Sequence, residues 1–283
     1  MKKICLLIYM LLYTLNPDLS FSAPVSGIGS FSYSETGNKN FLSGFQFVLR
    51  SDHQKNDFPE QIKQFLYKDP GSEEDFRHYS KTRSSKNSCD TTELEAGILF
   101  FENIFFYGKA GFGRFKSDLM ILDESISGLY TQPDLVRITD DSMFTFGGGL
   151  SFKLFQKEVK SVFRYLNANL DLQYRRLSID SGNRGVKQIS YEADLDEIQA
   201  SVVLSGTTDN TKFFLGPRVS SITGNEKLCI KQENFLYDEK IKTTKNIGWV
   251  FGVSFFNNDK YSVTMQKRTG DEEGVSFEAQ INF

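Results

Sequence analysis

The sequence predicts an all-β protein: a transmembrane, antiparallel up-and-down β-barrel of ten strands, or twelve on an alternative count, following a cleaved signal peptide. Three observations carry the prediction. Apolar and polar residues alternate over stretches of about ten residues, which is the period of a strand with two unlike faces. The connections between these stretches alternate between short and long, with 269–274 a short turn on the long-loop side, as in barrels with tight turns on one side of a membrane and extended loops on the other. Aromatic rings crowd the short connections, where a bilayer interface favours them. The chain carries 27 Phe and 12 Tyr in 283 residues, more ring than a soluble core needs. Its net charge of −3, 39% hydrophobic content and mean hydropathy of −0.35 taken alone suggest a water-soluble domain. The alternation reverses that inference, because each outward apolar residue is matched by an inward polar one.

The amino terminus reads as a secretory signal peptide over residues 1–23. Lys2 and Lys3 precede an apolar run from Ile4 to Leu15, and Phe21-Ser22-Ala23 places small residues for cleavage after Ala23. The apolar run is too short to span ~30 Å of hydrocarbon as a helix. Residues 24–40 form a periplasmic lead-in or an extra strand, with 27–34 as its candidate. No later run of about 18 apolar residues occurs, which excludes a bundle of membrane helices. The expected address is the bacterial outer membrane, reached through the Sec pathway.

The barrel is expected over 41–283. In 41–50, Phe41, Ser43, Phe45, Phe47 and Leu49 take alternate positions, as do Leu94, Ala96, Ile98 and Phe100 in 92–100. After 105–116 comes 143–154, where Phe144, Phe146, Leu150 and Phe152 oppose Thr145, Gly147, Gly149, Ser151 and Lys153. The clearest strand is 162–176, with Leu166, Ala168, Leu170, Leu172 and Tyr174 on one face and Asn167, Asn169, Asp171, Gln173 and Arg175 on the other. Ile198, Ala200, Val202 and Leu204 mark 194–205. Strand 212–223 is weakened by Pro217, which removes a ladder donor and suits an edge or a bulge. Ile247, Trp249, Phe251, Val253 and Phe255 mark 245–256, and Tyr261, Val263 and Met265 mark 260–268. The last strand is 275–283. Strand glycines such as Gly108, Gly111, Gly113 and those at 147–149 are expected to ease curvature or make room for large neighbours. Long polar loops are expected at 51–91, 117–142, 178–193 and 224–244; a hidden strand near 61–68, together with 27–34, would raise the count to twelve.

This alternation points Arg50, Glu93, Glu95, Lys109, Lys153 and Asp171 into the lumen, with Arg175, Glu197, Lys212, Arg218, Arg268 and Glu278. An outward charge would cost ~2–4 kcal/mol near the bilayer midplane, so the inward placement is the cheap one. Mixed charges in a narrow barrel either cross-link and fill the lumen or leave a small polar pore, and both readings stay open. The two histidines, His53 and His78, stand in the 51–91 segment beside Asp52, Asp57, Glu73, Glu74 and Asp75. They read as a solvated loop cluster rather than a general base, so no enzyme activity, metal site or cofactor is expected. Cys89 and Cys229 both fall on the outer side, where an exported protein can bond them or leave them as free thiols.

Val275, Phe277, Ala279, Ile281 and Phe283 form an alternating face ending on Phe, which resembles the carboxy-terminal assembly signal of bacterial outer-membrane barrel proteins. The resemblance implies recognition by the barrel-assembly machinery. The stretch from Ala23-Pro24-Val25-Ser26-Gly27 to Ser30-Phe31-Ser32-Tyr33 also resembles the start of the rickettsial major surface antigen family of barrels, which implies a surface-exposed antigen. The expected function is a surface antigen or porin-like protein for passive passage of small solutes. A loop-mediated adhesin or host- or ligand-binding surface protein is the alternative, and a membrane-embedded hydrolase comes last. Expected partners are outer-membrane lipid, the assembly machinery and contacts made by the loops, with no nucleic acid.

Overall fold

A computed structural model describes residues 45–56, 63–68, 76–100, 103–124, 134–159, 161–181, 189–230, 235–243, 246–257, 261–271 and 273–283. The signal peptide (1–23), the 24–40 segment with its 27–34 candidate strand, and residues 41–44 lie outside them. The strands are β1 (Phe45–Asn56), β2 (Lys63–Lys68), β3 (Phe76–Phe100), β4 (Ile104–Glu124), β5 (Asp134–Glu158), β6 (Tyr165–Asp180), β7 (Ile189–Thr207), β8 (Thr211–Ile230), β9 (Phe235–Lys242), β10 (Ile247–Asn257), β11 (Tyr261–Thr269) and β12 (Glu273–Asn282).

Ten of these close on themselves in the order β1-β3-β4-β5-β6-β7-β8-β10-β11-β12, with β12 pairing back onto β1. Every pairing is antiparallel, so the barrel exposes no edge to lipid. The remaining two strands do not enlarge it. β2 pairs only with residues 76–81 of β3, beyond the end of β1, and β9 pairs only with residues 223–230 of β8, beyond the end of β10. The hidden strand expected near 61–68 therefore exists, as a continuation of β1 past the membrane, and the barrel count is ten.

Register fixes the tilt. Following paired residues from Arg50 through Glu93, Gly111, Thr145, Leu177 and Leu195 leads to Gly224 on β8, while the other way round, through Glu278, Thr264 and Ser254, leads to Lys212. From 212 to 224 is an offset of twelve residues, a stagger that goes with strands leaning at roughly 40° to the barrel axis.

The two faces are chemically opposite. Ile198 is 65% exposed toward lipid, whereas its neighbours Glu197 and Gln199 are 1% exposed toward the interior. Edge-on ring pairs, Phe100–Phe106 at 5.3 Å and Phe47–Phe283 at 5.8 Å between centroids, belong to the girdle beside the short turns. Phe112 and Phe144, 5.5 Å apart, stand with Trp249 and Tyr174 toward the opposite rim and form a second girdle.

The stretches expected as long loops are in large part strand, and there the pattern inverts. On β6 the outward series Leu172, Tyr174 gives way to Arg176 and Ser178, while Leu177 and Ile179 turn inward and are buried. On β7, Asp196, Asp194 and Glu192 face out while Leu195, Ala193 and Tyr191 are buried. Below the rim the outside solvent is hydrocarbon; above it the solvent is water, and the walls enclose an apolar core of the soluble kind. Phe115 stacks on Tyr191 in that core at 5.9 Å.

Pro217 lies inside β8 with neither an edge nor a bulge. The β7–β8 ladder keeps its register but omits the pairs between Ser201↔Arg218 and Leu204↔Leu215, where the proline has no N–H to give.

Candidate functional site

The site is the charged belt of the lumen. Arg50 on β1 binds Glu278 on β12 at 3.0 Å and Glu95 on β3 at 3.1 Å, with Glu93 at 3.9 Å. Lys109 on β4 donates to Gln173 at 2.8 Å and stands 3.8 Å from Glu93, which also accepts from Thr145 at 2.9 Å. Arg175 on β6 makes two contacts with Glu197, at 2.7 and 2.9 Å. It also donates to Gln54 on β1 at 2.6 Å and reaches within 3.8 Å of Asp52. Because β6 and β1 are nearly opposite in the ring, the Arg175 side chain crosses the lumen. Arg268 on β11 donates to Asp52 at 2.6 Å. Arg218 on β8 meets Asp271, from the turn after β11, at 3.1 Å, and Asp271 also accepts from Ser220 at 2.6 Å. Arg50, Arg175, Glu93 and Arg268 are all 0% exposed, so this belt is a packed cross-section.

Arg50, Glu93, Glu95, Lys109, Arg175, Glu197, Arg218, Arg268 and Glu278 meet in this belt, and Asp171 and Lys212 are buried inward below it. Lys153 does not join them. A bulge between Lys153 and Phe155 leaves it half-buried at the short-turn end, where its Nζ donates to Gln156 at 3.2 Å. Three members were missed. Asp52 and Gln54 were assigned to the first loop, yet β1 runs on past residue 50 and keeps its inward parity. Asp271 was missed because a turn, not a strand, carries it. The parity of 46, 48 and 50 was the signal that could have found Asp52 and Gln54.

His53, on the alternate face of β1 from Asp52, turns outward and contacts Asp90 across the β1–β3 pair. It is therefore part of a strand and not of a loop cluster. The side chain of His78 lies outside the described residues. Cys89 and Cys229 are free thiols. Cys89 is on β3 facing in, buried, with its Sγ 3.5 Å from Met143 Sδ, whereas Cys229 is near the distal end of β8. The inward parity of 87, 89 and 91 sends Cys89 into the apolar core and away from the loop bridge that its distance from the apolar belt suggested.

A closed antiparallel barrel with a hydrocarbon-facing apolar belt, two aromatic girdles and an ion-paired interior defines a bacterial outer-membrane β-barrel protein. Within that class, residues 154–283 match the family model described as Chlamydia major outer membrane protein. The major outer membrane porin of Chlamydia trachomatis serovar C is 33% identical over 134 residues, covering 45% of this chain and 34% of that protein. The serovar L3 porin is 33% identical over 134 residues with the same coverage. The chain thus spans about a third of the length of these curated relatives. The matching family is a different one from the rickettsial surface antigens that residues 23–33 resemble. Among solved structures, the outer membrane protease OmpT of Escherichia coli aligns with a TM-score of 0.44 at 9% identity, over 88% of this chain and 100% of that one. OprG of Pseudomonas aeruginosa aligns with a TM-score of 0.41 at 11% identity, over 86% and 99%.

Proposed function

We propose that this porin-like surface barrel passes small solutes across the outer membrane through a lumen that its own side chains hold nearly closed. The observation that carries the reading is the interior itself: a polar, two-signed belt, in a chain whose carboxy-terminal part resembles proteins named porins. Paired charges of both signs favour no large net selectivity. The Arg175 side chain crosses the lumen from β6 to β1, and on this reading it sets the resting conductance. The apolar core above the belt is a second barrier, which yields only when the distal hairpins move apart.

The test is single-channel recording from the purified barrel in planar bilayers. Wild type is expected to show small or infrequent steps, and Arg175→Ala larger ones. Silence in both would end the transport reading. A silent barrel that adheres to cells through the hairpins beyond the rim would favour the surface-binding alternative, for which their polar outer faces speak. We read the protein as a non-enzyme, since His53 stands on the opposite face of the wall from the lumenal carboxylates. Its assembly is read as passing through the β12 face of Val275, Phe277, Ala279, Ile281 and Phe283, which the assembly machinery would engage.

A further inference from the structure

One lumenal carboxylate stands apart from the belt. Asp171, on β6 and 1% exposed, has no Lys or Arg nitrogen within ion-pair distance among the described residues. Its Oδ1 accepts hydrogen bonds from Ser151 Oγ at 2.5 Å and Tyr107 Oη at 3.2 Å. Its Oδ2 has no hydrogen-bond partner among the described residues. Directly across the β6–β7 pair is Ser201, 2% exposed, whose hydroxyl is also without a partner. One strand period toward the short turns, on the same inward face, is Asn169, 3% exposed, with both ends of its amide unpartnered. Buried polar atoms are rarely left unpaired, and here three neighbouring side chains leave theirs so at one spot of the wall.

We infer that Asp171, Asn169 and Ser201 form a binding site for a partly dehydrated monovalent cation of the sodium or potassium class, which keeps water at its remaining positions. The donors are all oxygens, as a hard cation requires, and a single carboxylate supplies one negative charge to balance one positive charge. A divalent cation such as calcium gathers six to eight oxygens, commonly including several carboxylates. Lys109 on β4 spends its ammonium on Gln173 and Glu93, and at Asp171 its field and that of Glu95 act in opposite directions, so neither neutralises the carboxylate by direct contact. The site is also built from behind. Gly149 on β5 leaves the space in which the Tyr107 ring lies across the wall to reach Asp171, since a Cβ at 149 would collide with the phenol oxygen. The two hydroxyls fix the carboxylate through one oxygen and leave the other for the ion. Occupancy does not depend on whether the barrel conducts.

The test uses rubidium as the probe on the full barrel in detergent. Crystals grown in rubidium chloride should show anomalous density within bonding distance of Asp171 Oδ2, Asn169 Oδ1 and Ser201 Oγ. The unfolding temperature should be higher in rubidium chloride than in choline chloride at equal ionic strength. Asp171→Asn keeps the shape and the acceptor for Ser151 and Tyr107, and should abolish both the density and the salt-specific rise; Asn169→Ala should weaken them. Equal unfolding temperatures of the wild type in the two salts, with no density at the site, would overturn the inference and mark Asp171 as a neutral buried acid. A rise that persists in Asp171→Asn would overturn it as well, by placing the ion elsewhere. Bilayer silence would end the transport reading and leave this site standing, and the converse also holds.

Discussion

At the scale of single residues, Arg175 carries the most. It is wholly buried between Glu197, Gln54, Asp52 and Glu93, so removing it strands carboxylates that no water reaches. Arg175→Ala should cost about 3–5 kcal/mol of stability, the penalty for breaking a buried pair on one side, read from denaturant unfolding of the folded barrel. Gly149→Val acts by the opposite route, forcing bulk against the Tyr107 hydroxyl and the Leu172 carbonyl. Overpacking of that kind costs about 1–3 kcal/mol, and a drop in unfolding temperature would report it. The two thiols give a third check. A bulky maleimide should modify Cys229 in the folded barrel and reach Cys89 only after unfolding, because Cys89 is packed against Met143. Equal labelling of both would contradict the inward parity of β3.

Elements show why some of this was legible in the sequence and some was not. Within the hydrocarbon belt a strand must be apolar outside, so residues such as Leu166, Leu172 and Ile198 declare the parity and Asp171, Arg175 and Glu197 follow from it. Past the rim the contrast changes sign, and a reader tracking outward apolar residues loses the strand where it continues. That is how β1 after Arg50, β3 before Thr92 and β8 after Thr223 came to look like polar loops, although Cys89 and Leu228 were marking an inward apolar face. Position relative to the inversion decides the outcome of substitutions. Leu172→Arg, on the hydrocarbon side, should destabilise the barrel by ~2–4 kcal/mol. An Arg at Ser178, on the watery side of the same strand, should be close to neutral. Unfolding of both variants in lipid vesicles would compare them, and equal costs would place the inversion elsewhere. Lateral ion pairs such as Arg176–Asp194 at 3.0 Å stand on that outer rim and contribute little by themselves.

For the molecule as a whole, the interior is layered: a mixed layer near the short turns, where apolar side chains stand among Asn169, Asp171 and Lys212, then the charged belt, then the apolar core of the distal hairpins. Val203, Phe214 and Val250 pack together in the first layer, and Leu177, Leu195 and Ile222 lie in the last. The belt also ties together the two extremes of the chain. Arg50 and Glu278 are 228 residues apart in sequence, and Asp52 and Arg268 are 216 apart. Contacts of that separation cannot form until β12 has met β1, so they reward the chain only after the whole entropy of closure has been lost. These ion pairs should consequently be absent from the transition state for closing the wall and present in the finished barrel. Weakening them, as in Arg50→Gln, is expected to speed unfolding while leaving the folding rate nearly unchanged. On that footing the ionic belt is a kinetic seal: it governs how long a completed barrel lasts in the membrane more than how quickly one is made.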